Sequence, residues 1–494
     1  MIIISFHQYG SEKIEKLNLN EKVTEENENF KFVVIGSGPS GSVVSNELNK
    51  NFNGEVLVIE KGDYYDLPST KHPGDEFKKK WYRGGLNSTY FPEMVAYSSG
   101  SCMGGGSEIN SGLYHEPDEI FLNNWRDEFL TDSITLAENQ AYIEKIRELV
   151  NYENNENSDF FSNFFQALDI SSKGNSKLKR FISNDNIKNS MSKTLLKEYI
   201  ENNGKVSLNT EVIRINFIEN KWRLQIKSKN KKYNIYAENL FLCCGSIFTN
   251  QLLLKSRISK GMKKIIRHFN FHPMLKAVGI YEKNIQELNE DVVAIQNIDN
   301  YPNHIIGNAT SSVQFILSSF HYNKKIRNFV KQYWKKMKIF HVTFSLGKGR
   351  IFNIPFFKNP LLLYRLNSNE KISMIKGYRE LIKFIKKTKA NSIIPIGNKK
   401  IDLIKYNYFN KYSNSLNTIK NLQMSSVHIL GGVTMGEAKN CVANSYGKIN
   451  ENENLYVCDS SLINTKLLKN PQGTVMMLAY RNIDHFIKNY KSKG

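Results

Sequence analysis

The hexapeptide GSGPSG (residues 36–41) separates an apolar, β-branched run, FKFVVIG, from SVVSNELNKNF, in which Val44 and Leu48 fall at helical spacing. A second apolar run, EVLVIEKG, follows and carries Glu60 near its end. Strands without a polar face are buried on both sides, and parallel neighbours need a crossover such as a helix. This order therefore predicts the first β-α-β unit of a parallel sheet. Each glycine then has its own task. Gly36 permits a tight turn, Gly38 lets the backbone approach a pyrophosphate, and Gly41 brings helix against strand. Pro39 and Ser40 lie in the turn that presents the helix's N–H groups and positive dipole end to phosphate. Glu60 is placed to hydrogen-bond an adenosine ribose. A dinucleotide ligand is the expectation, with NAD and FAD both open.

Size and charge constrain the rest. At 494 residues the chain exceeds what one hydrophobic core usually serves, so two domains, or one interrupting the other, are expected. Lys and Arg number 68 against 47 Asp and Glu, a net charge of +21. The excess is scattered along the chain, and its densest stretches, residues 323–338 and 379–389, interleave with apolar residues at helical spacing. They read as solvated helix faces, and no nucleic-acid partner is expected. The cysteines at 102, 243, 244, 441 and 458 show no disulfide framework and no zinc spacing, so no metal site is expected. The N-terminal apolar run is too short for a signal peptide, and nowhere do about 18 apolar residues run together. No transmembrane segment is expected, and a cytoplasmic location follows.

Along the chain, residues 1–29 read as a polar, acidic lead-in. Residues 117–200 look mainly helical, with a polar loop at 151–160. Strands return between 205 and 245, residues 271–424 mix short strands such as HVTFSL with lysine-rich helices, and an amphipathic helix closes the chain from about Thr474.

A second glycine cluster separates the two cofactors. In SGSCMGGGSEINSGLYHE (residues 99–116), Gly104, Gly105 and Gly106 let the main chain lie flat against a planar ligand. Ser107 and Asn110 offer donors and acceptors to its edges, which suits an isoalloxazine ring. Further on come CCGSIFTNQLLLKS (residues 243–256) and a C-terminal block containing VHILGGVTMG, NLYVCDSSLI and KNPQGTVMMLAYRNIDHF. With these motifs in order, the chain resembles the glucose-methanol-choline (GMC) family of FAD-dependent oxidoreductases from about residue 31 to 490, residues 280–420 matching only loosely. FHPMLKAVG, with His272, resembles the family's turn into the substrate domain. Asn444 stands where the family often has Asp.

The resemblance implies an α/β fold, with a Rossmann-like FAD-binding domain interrupted by an α+β substrate domain built on an antiparallel sheet and helices. Residues 30–116, 186–270 and 425–494 would form the FAD-binding domain, and 117–185 with 271–424 the substrate-binding cap. It also implies a backbone contact to adenine at Val212, a close approach to the cofactor at Gly245, and Asp459 and Ser460 near the pyrophosphate and flavin. The helix after Asn470 and Pro471 would direct its N-terminus at the flavin's pyrimidine edge. His428 and Asn470 would meet in front of flavin N5, His428 as the base that removes a hydroxyl proton and Asn470 holding the substrate oxygen; imidazole is the side chain suited to that task near neutral pH. Some relatives bond FAD covalently through a His in the glycine loop. Ile109 occupies the position before Asn110 here, so non-covalent FAD is expected, His72 and His115 being the remaining candidates for an unusual link. The implied reaction oxidises the CH–OH group of an alcohol, sugar or polyol to a carbonyl, with oxygen, a quinone or a cytochrome receiving the electrons. The alternatives are a lyase or photodecarboxylase on the same fold, or a catalytically dead flavin-binding protein.

Overall fold

In the first sheet, strand Asn29–Ile35 lies parallel to Val56–Ile59 on one side and to Lys231–Leu242 on the other, with Val34 opposite Val58 and Phe241. Helix Pro39–Asn51 makes the crossover. The computed structural model describes residues 24–65, 73–150, 175–177, 179–180, 188–229, 231–258, 268–285, 295–309, 311–320, 324–354, 357, 359–397, 404–405, 422–449 and 454–492. The loop at 151–160 and His72 therefore lie outside the described residues.

Lys205–Ser207 extends this sheet beyond Val56–Ile59, and the antiparallel pair Lys221–Ser228 and Thr210–Ile218 extends it beyond Lys231–Leu242. Leu455–Val457 runs parallel to the end of Lys231–Leu242. The closing helix, Gln472–Lys491, packs on Pro39–Asn51 and is buried along most of its length, from Gly473 to Ile483. Phe32, Phe52, Phe486 and Tyr490 interlock where it ends, in tilted and edge-on pairs.

The second sheet is built around Met274–Ile280, flanked antiparallel by Met337–Thr343, Ser392–Pro395 and Met424–Ser426. Alternation divides its residues between two faces. Leu275 and Ala277 join Phe340 and Val342 beneath the helix Ser368–Lys387, which contributes Tyr378, Leu381 and Ile385 and starts at an Asn367/Glu370 capping box. On the other face Val278, Ile280 and Ile339 meet Ile316, Phe320 and Val330 from the helices Val313–Ser319 and Lys324–Tyr333. The apolar stripe of each lysine-rich helix is thus spent on the cap core, which leaves its lysines the solvent side.

The α/β architecture with an interrupting antiparallel cap is as expected, but two segments fall on unexpected sides. Helices Glu119–Phe129 and Gln140–Val150, grouped with the cap by sequence, bury Phe121, Trp125, Ile143 and Ile146 in the core of the nucleotide-binding domain. Gln140–Val150 packs on the closing helix, and Glu119–Phe129 lies against the Met435 segment, to whose carbonyl the Trp125 indole N–H donates. Conversely, Asn87–Ser88 and Val95–Tyr97 pair into the cap sheet through Met424–Ser426.

Candidate active site

A cavity of about 800 Å³ lies between the first sheet and the cap, and it collects most of the residues singled out by sequence. Gly36 takes φ +99, and a Cβ on it would sit 2.5 Å from the Cys243 carbonyl oxygen; one on Gly41 would sit 1.9 Å from the Gly36 carbonyl oxygen. These two glycines make the turn and the packing. Gly38 differs: a Cβ there meets nothing within 4 Å and points into open space, beside Pro39 and Ser40 on the cavity wall. Helix Pro39–Asn51 has no acidic residue in its own first turn, which leaves its positive end toward the cavity free of charge from the helix itself.

Glu60 closes the other side of this turn. One carboxylate oxygen accepts from the Ser37 amide (3.1 Å) and hydroxyl (2.6 Å), the other from the Gly62 amide (2.8 Å). A carboxylate has about four acceptor sites, so one remains for a donor from the cavity. Val212 and Ile213 line the cavity where the strand Thr210–Ile218 bulges against Gln225 and Ile226, which turns its backbone toward the opening.

The glycine loop divides into two functions. Gly105 (φ +55) lies against Gly38, a Cβ there being 2.8 Å from the Gly38 Cα, and Gly105 and Asn110 line the cavity. Asn110 donates to Gln472 Oε1 (2.7 Å), tying the loop to the first turn of the closing helix. Gly104 and Ser107 stand back from the cavity, contrary to their expected place at the ring. The Ser107 hydroxyl donates to the Gly104 carbonyl (2.7 Å) and accepts from the Met191 amide (3.0 Å), and the Gly104 amide donates to the Ser37 hydroxyl (3.2 Å). The Ser107 hydroxyl and the Gly104 backbone fold the loop instead of edging a ligand.

Asp459 also works through others. It is buried and accepts four bonds, from the Gly245 amide (2.8 Å), the Thr249 hydroxyl (2.5 Å), and the Ser461 amide (2.8 Å) and hydroxyl (2.6 Å). Burial raises its pKa, against these hydrogen bonds that lower it. It fixes Gly245, which adopts φ +79 with its Cα facing open cavity, and the turn at Ser460, whose hydroxyl accepts from the Ser246 amide (3.3 Å).

His428 lines the cavity, and its Nδ1 lies 2.9 Å from Nδ1 of His272, the rings nearly perpendicular at 88°. Burial, then the neighbouring His272, His115 and His341, hold the His428 imidazole well below the usual histidine range. Burial likewise pushes His272 down to about 4. Because His428 Nδ1 is taken, Nε2 is the nitrogen left for a ligand. Asn470 lines the same cavity; its side-chain amide donates to the Leu113 carbonyl (3.2 Å), and its backbone N–H donates to His115 Nδ1 (2.8 Å). His115 Nε2 therefore carries the proton and donates to Gln296 (2.9 Å). Burial lowers His115 to about 4, and with both nitrogens engaged it is not positioned to bond a cofactor. Pro471 is the N-cap of the closing helix and also faces the cavity.

Sequence reasoning passed over His272 as a partner of His428, and over Gln296, Lys276 and His341 on the cap wall. The signal was clearest for Lys276, the one polar residue in the strand MLKAVGI; His341 shares MKIFHVT with Lys338 and Thr343.

Comparison with known proteins agrees with this geometry. The models of the GMC oxidoreductase N-terminal and C-terminal domains match residues 30–274 and 359–479, well over half the chain. An uncharacterized GMC-type oxidoreductase of Sinorhizobium fredii is 23% identical over 476 residues, covering 91% of this chain and 93% of that protein. An oxygen-dependent choline dehydrogenase of Staphylococcus aureus is 26% identical over 133 residues, 25% of this chain and 23% of its own. Among solved structures, pyridoxine 4-oxidase from Mesorbium loti superposes with TM-score 0.72 at 13% identity over 93% of this chain and 99% of that one. Formate oxidase of Aspergillus oryzae gives 0.71 at 14% identity over 95% and 100%. By these matches, this chain is a member of the GMC oxidoreductase family.

Proposed function

We propose that this protein oxidises a CH–OH group of a small alcohol, sugar or polyol to a carbonyl, with non-covalently bound FAD. The observation that carries the reading is the convergence of His428 and Asn470, remote in sequence, on one cavity that also holds the dinucleotide turn. The residues fit FAD: Gly38 and Gly245 leave room where a side chain would intrude, two helix N-termini face the cavity, and Glu60 keeps an acceptor site. Gly36–Gly41 would hold the pyrophosphate, Glu60 a ribose, Val212 the adenine, and Gly105, Asn110 and Pro471 the ring system. When bound, FAD supplies the acceptor for the hydride leaving the carbinol carbon.

The chain's own part is to bind the alcohol and take its proton. Nε2 of His428 receives the hydroxyl proton, which requires Nδ1 to carry hydrogen and donate it to His272. His272 is neutral well below pH 7 and so serves as that acceptor. Asn470, its amide pinned by Leu113 and its backbone by His115, keeps its second amide hydrogen and Oδ1 for the substrate oxygen. A positioned base of this kind is worth about 10² to 10⁴ in rate. The test is to purify the protein, record the visible spectrum, and add alcohols and sugars anaerobically. A yellow protein bleached by at least one of them supports the reading; a colourless protein unable to take up FAD ends it.

A further inference from the structure

The cap contributes one face of its antiparallel sheet to the cavity. Met274 and Lys276 line the opening, while Leu275 between them enters the opposite core. Register sets Met274 opposite Thr343 and Lys276 opposite His341, and both partners line the cavity too. Lys276 and His341 are thus side by side on one wall, among Met274, Ile305 and Ile339.

Among the described residues, no acidic side chain on the cavity wall balances them. The carboxylates that line the cavity, Glu60, Glu211 and Asp459, all come from the nucleotide-binding domain. Glu60 and Asp459 hold backbone amides, and Glu211 pairs with Lys61 at 2.8 Å. Among the described residues, the Lys276 ammonium has no ion-pair or hydrogen-bond partner, and His341 Nδ1 is buried without one. A cation on a largely desolvated cavity wall without a counter-ion is costly, and the cost is offset where a ligand brings the opposite charge.

We infer that the substrate carries a carboxylate besides its CH–OH group, and that Lys276, with His341 beside it, binds that carboxylate. The inference rests on the alcohol-oxidation reading for what happens at the substrate's other end. Lys276 lies four residues beyond His272, the partner of His428, which at about 3.3 Å per residue allows at most about 13 Å between their Cα atoms. That figure bounds from above how far the carboxylate stands from the carbinol, so a hydroxy acid fits and its chain length is read from the titration series. Burial lowers Lys276 to about 8, which keeps it charged at neutral pH, and burial followed by the Lys276 charge lowers His341.

The test is calorimetric titration of the FAD-loaded protein with the straight-chain carboxylates from butanoate to decanoate and with the matching 1-alkanols. These carboxylates have no CH–OH group, so binding is read without turnover. The expected result is that at least one carboxylate binds wild type more tightly than its alkanol, and that K276M weakens it about ten-fold or more, the loss typical of a hydrogen bond to a charged group, while K276R retains it. H341L, which leaves the lysine in place, is expected to weaken the same carboxylate by a smaller factor, and it supplies the reading if K276M does not hold FAD. The inference is overturned if no carboxylate binds wild type, or if none is weakened in either variant. Anaerobic bleaching by alcohols is scored separately. Lys276-dependent carboxylate binding without bleaching leaves the anion site standing and removes the oxidation reading, and bleaching without such binding does the reverse.

Discussion

Replacing His272 with Leu isolates the contact that orients the candidate base. His272 is 1% exposed, and its Nδ1 is 2.9 Å from that of His428. With leucine there, the His428 Nδ1–H loses its acceptor and faces an apolar side chain instead. The imidazole is then free to flip or to take the other tautomer, which places hydrogen on Nε2 and abolishes its use as a base. Leaving a buried donor unpaired costs about 1–3 kcal/mol. At a factor of ten per 1.4 kcal/mol, kcat should fall by about 5- to 150-fold, within the ceiling of about 10² to 10⁴ set by the whole contribution of a general base. KM should change little, because His272 itself does not line the cavity. The assay is steady-state kinetics with the best alcohol from the screen, alongside thermal unfolding and FAD content. H272N, whose side-chain oxygen can stand near the place of Nδ1, should recover most of the loss, whereas a purely volumetric role for His272 predicts that it does not. The reasoning is refuted if H272L retains kcat within about two-fold while folding and binding FAD normally.

Removing the base itself in H428A should cost about 10² to 10⁴ in kcat with FAD retained. The two glycines of the first turn should separate by assay. G38A, whose Cβ enters open cavity, should weaken FAD binding in equilibrium dialysis with little change in apoprotein unfolding temperature, and G41A, which forces a Cβ onto the Gly36 carbonyl, should lower that temperature sharply. D459N should destabilise the fold by about 1–3 kcal/mol in denaturant titration, because amides donate to both of its oxygens and an asparagine NH₂ must face one of them. In pH profiles, kcat/KM should rise as His428 loses its proton, with a midpoint below the ordinary histidine range because burial disfavours the cation. For a hydroxy acid it should fall again near pH 8, where Lys276 becomes neutral; a neutral alcohol should lack that second limb. His341, facing Lys276 from the next strand, is already neutral there, and the flanking strands Ser392–Pro395 and Met424–Ser426 bring no titratable side chain.

The sequence by itself determined the nucleotide-binding half. A glycine turn between two apolar strands has few ways to be satisfied, because positive φ at Gly36 and contact at Gly41 are backbone demands that local residue identity encodes. The same holds for the closing helix and for the solvated faces of the lysine-rich helices, where local periodicity decides. What only the tertiary structure decided are the relations between distant segments. Helices Glu119–Phe129 and Gln140–Val150 carry apolar stripes that would suit either core; packing of the first on the Met435 segment and of the second on the closing helix chose the nucleotide-binding one. Ser107 has the chemistry of a ligand contact, yet the Gly104 carbonyl and Met191 amide claim its hydroxyl. Lys276 and His341 became site residues only through strand register, which turns alternate side chains to one face and sets residues far apart in the chain opposite each other, and His272 only through the link between two strands that brings it to His428. Composition and spacing cannot report such pairings, because their energy lies in contacts that do not exist until both sheets have formed.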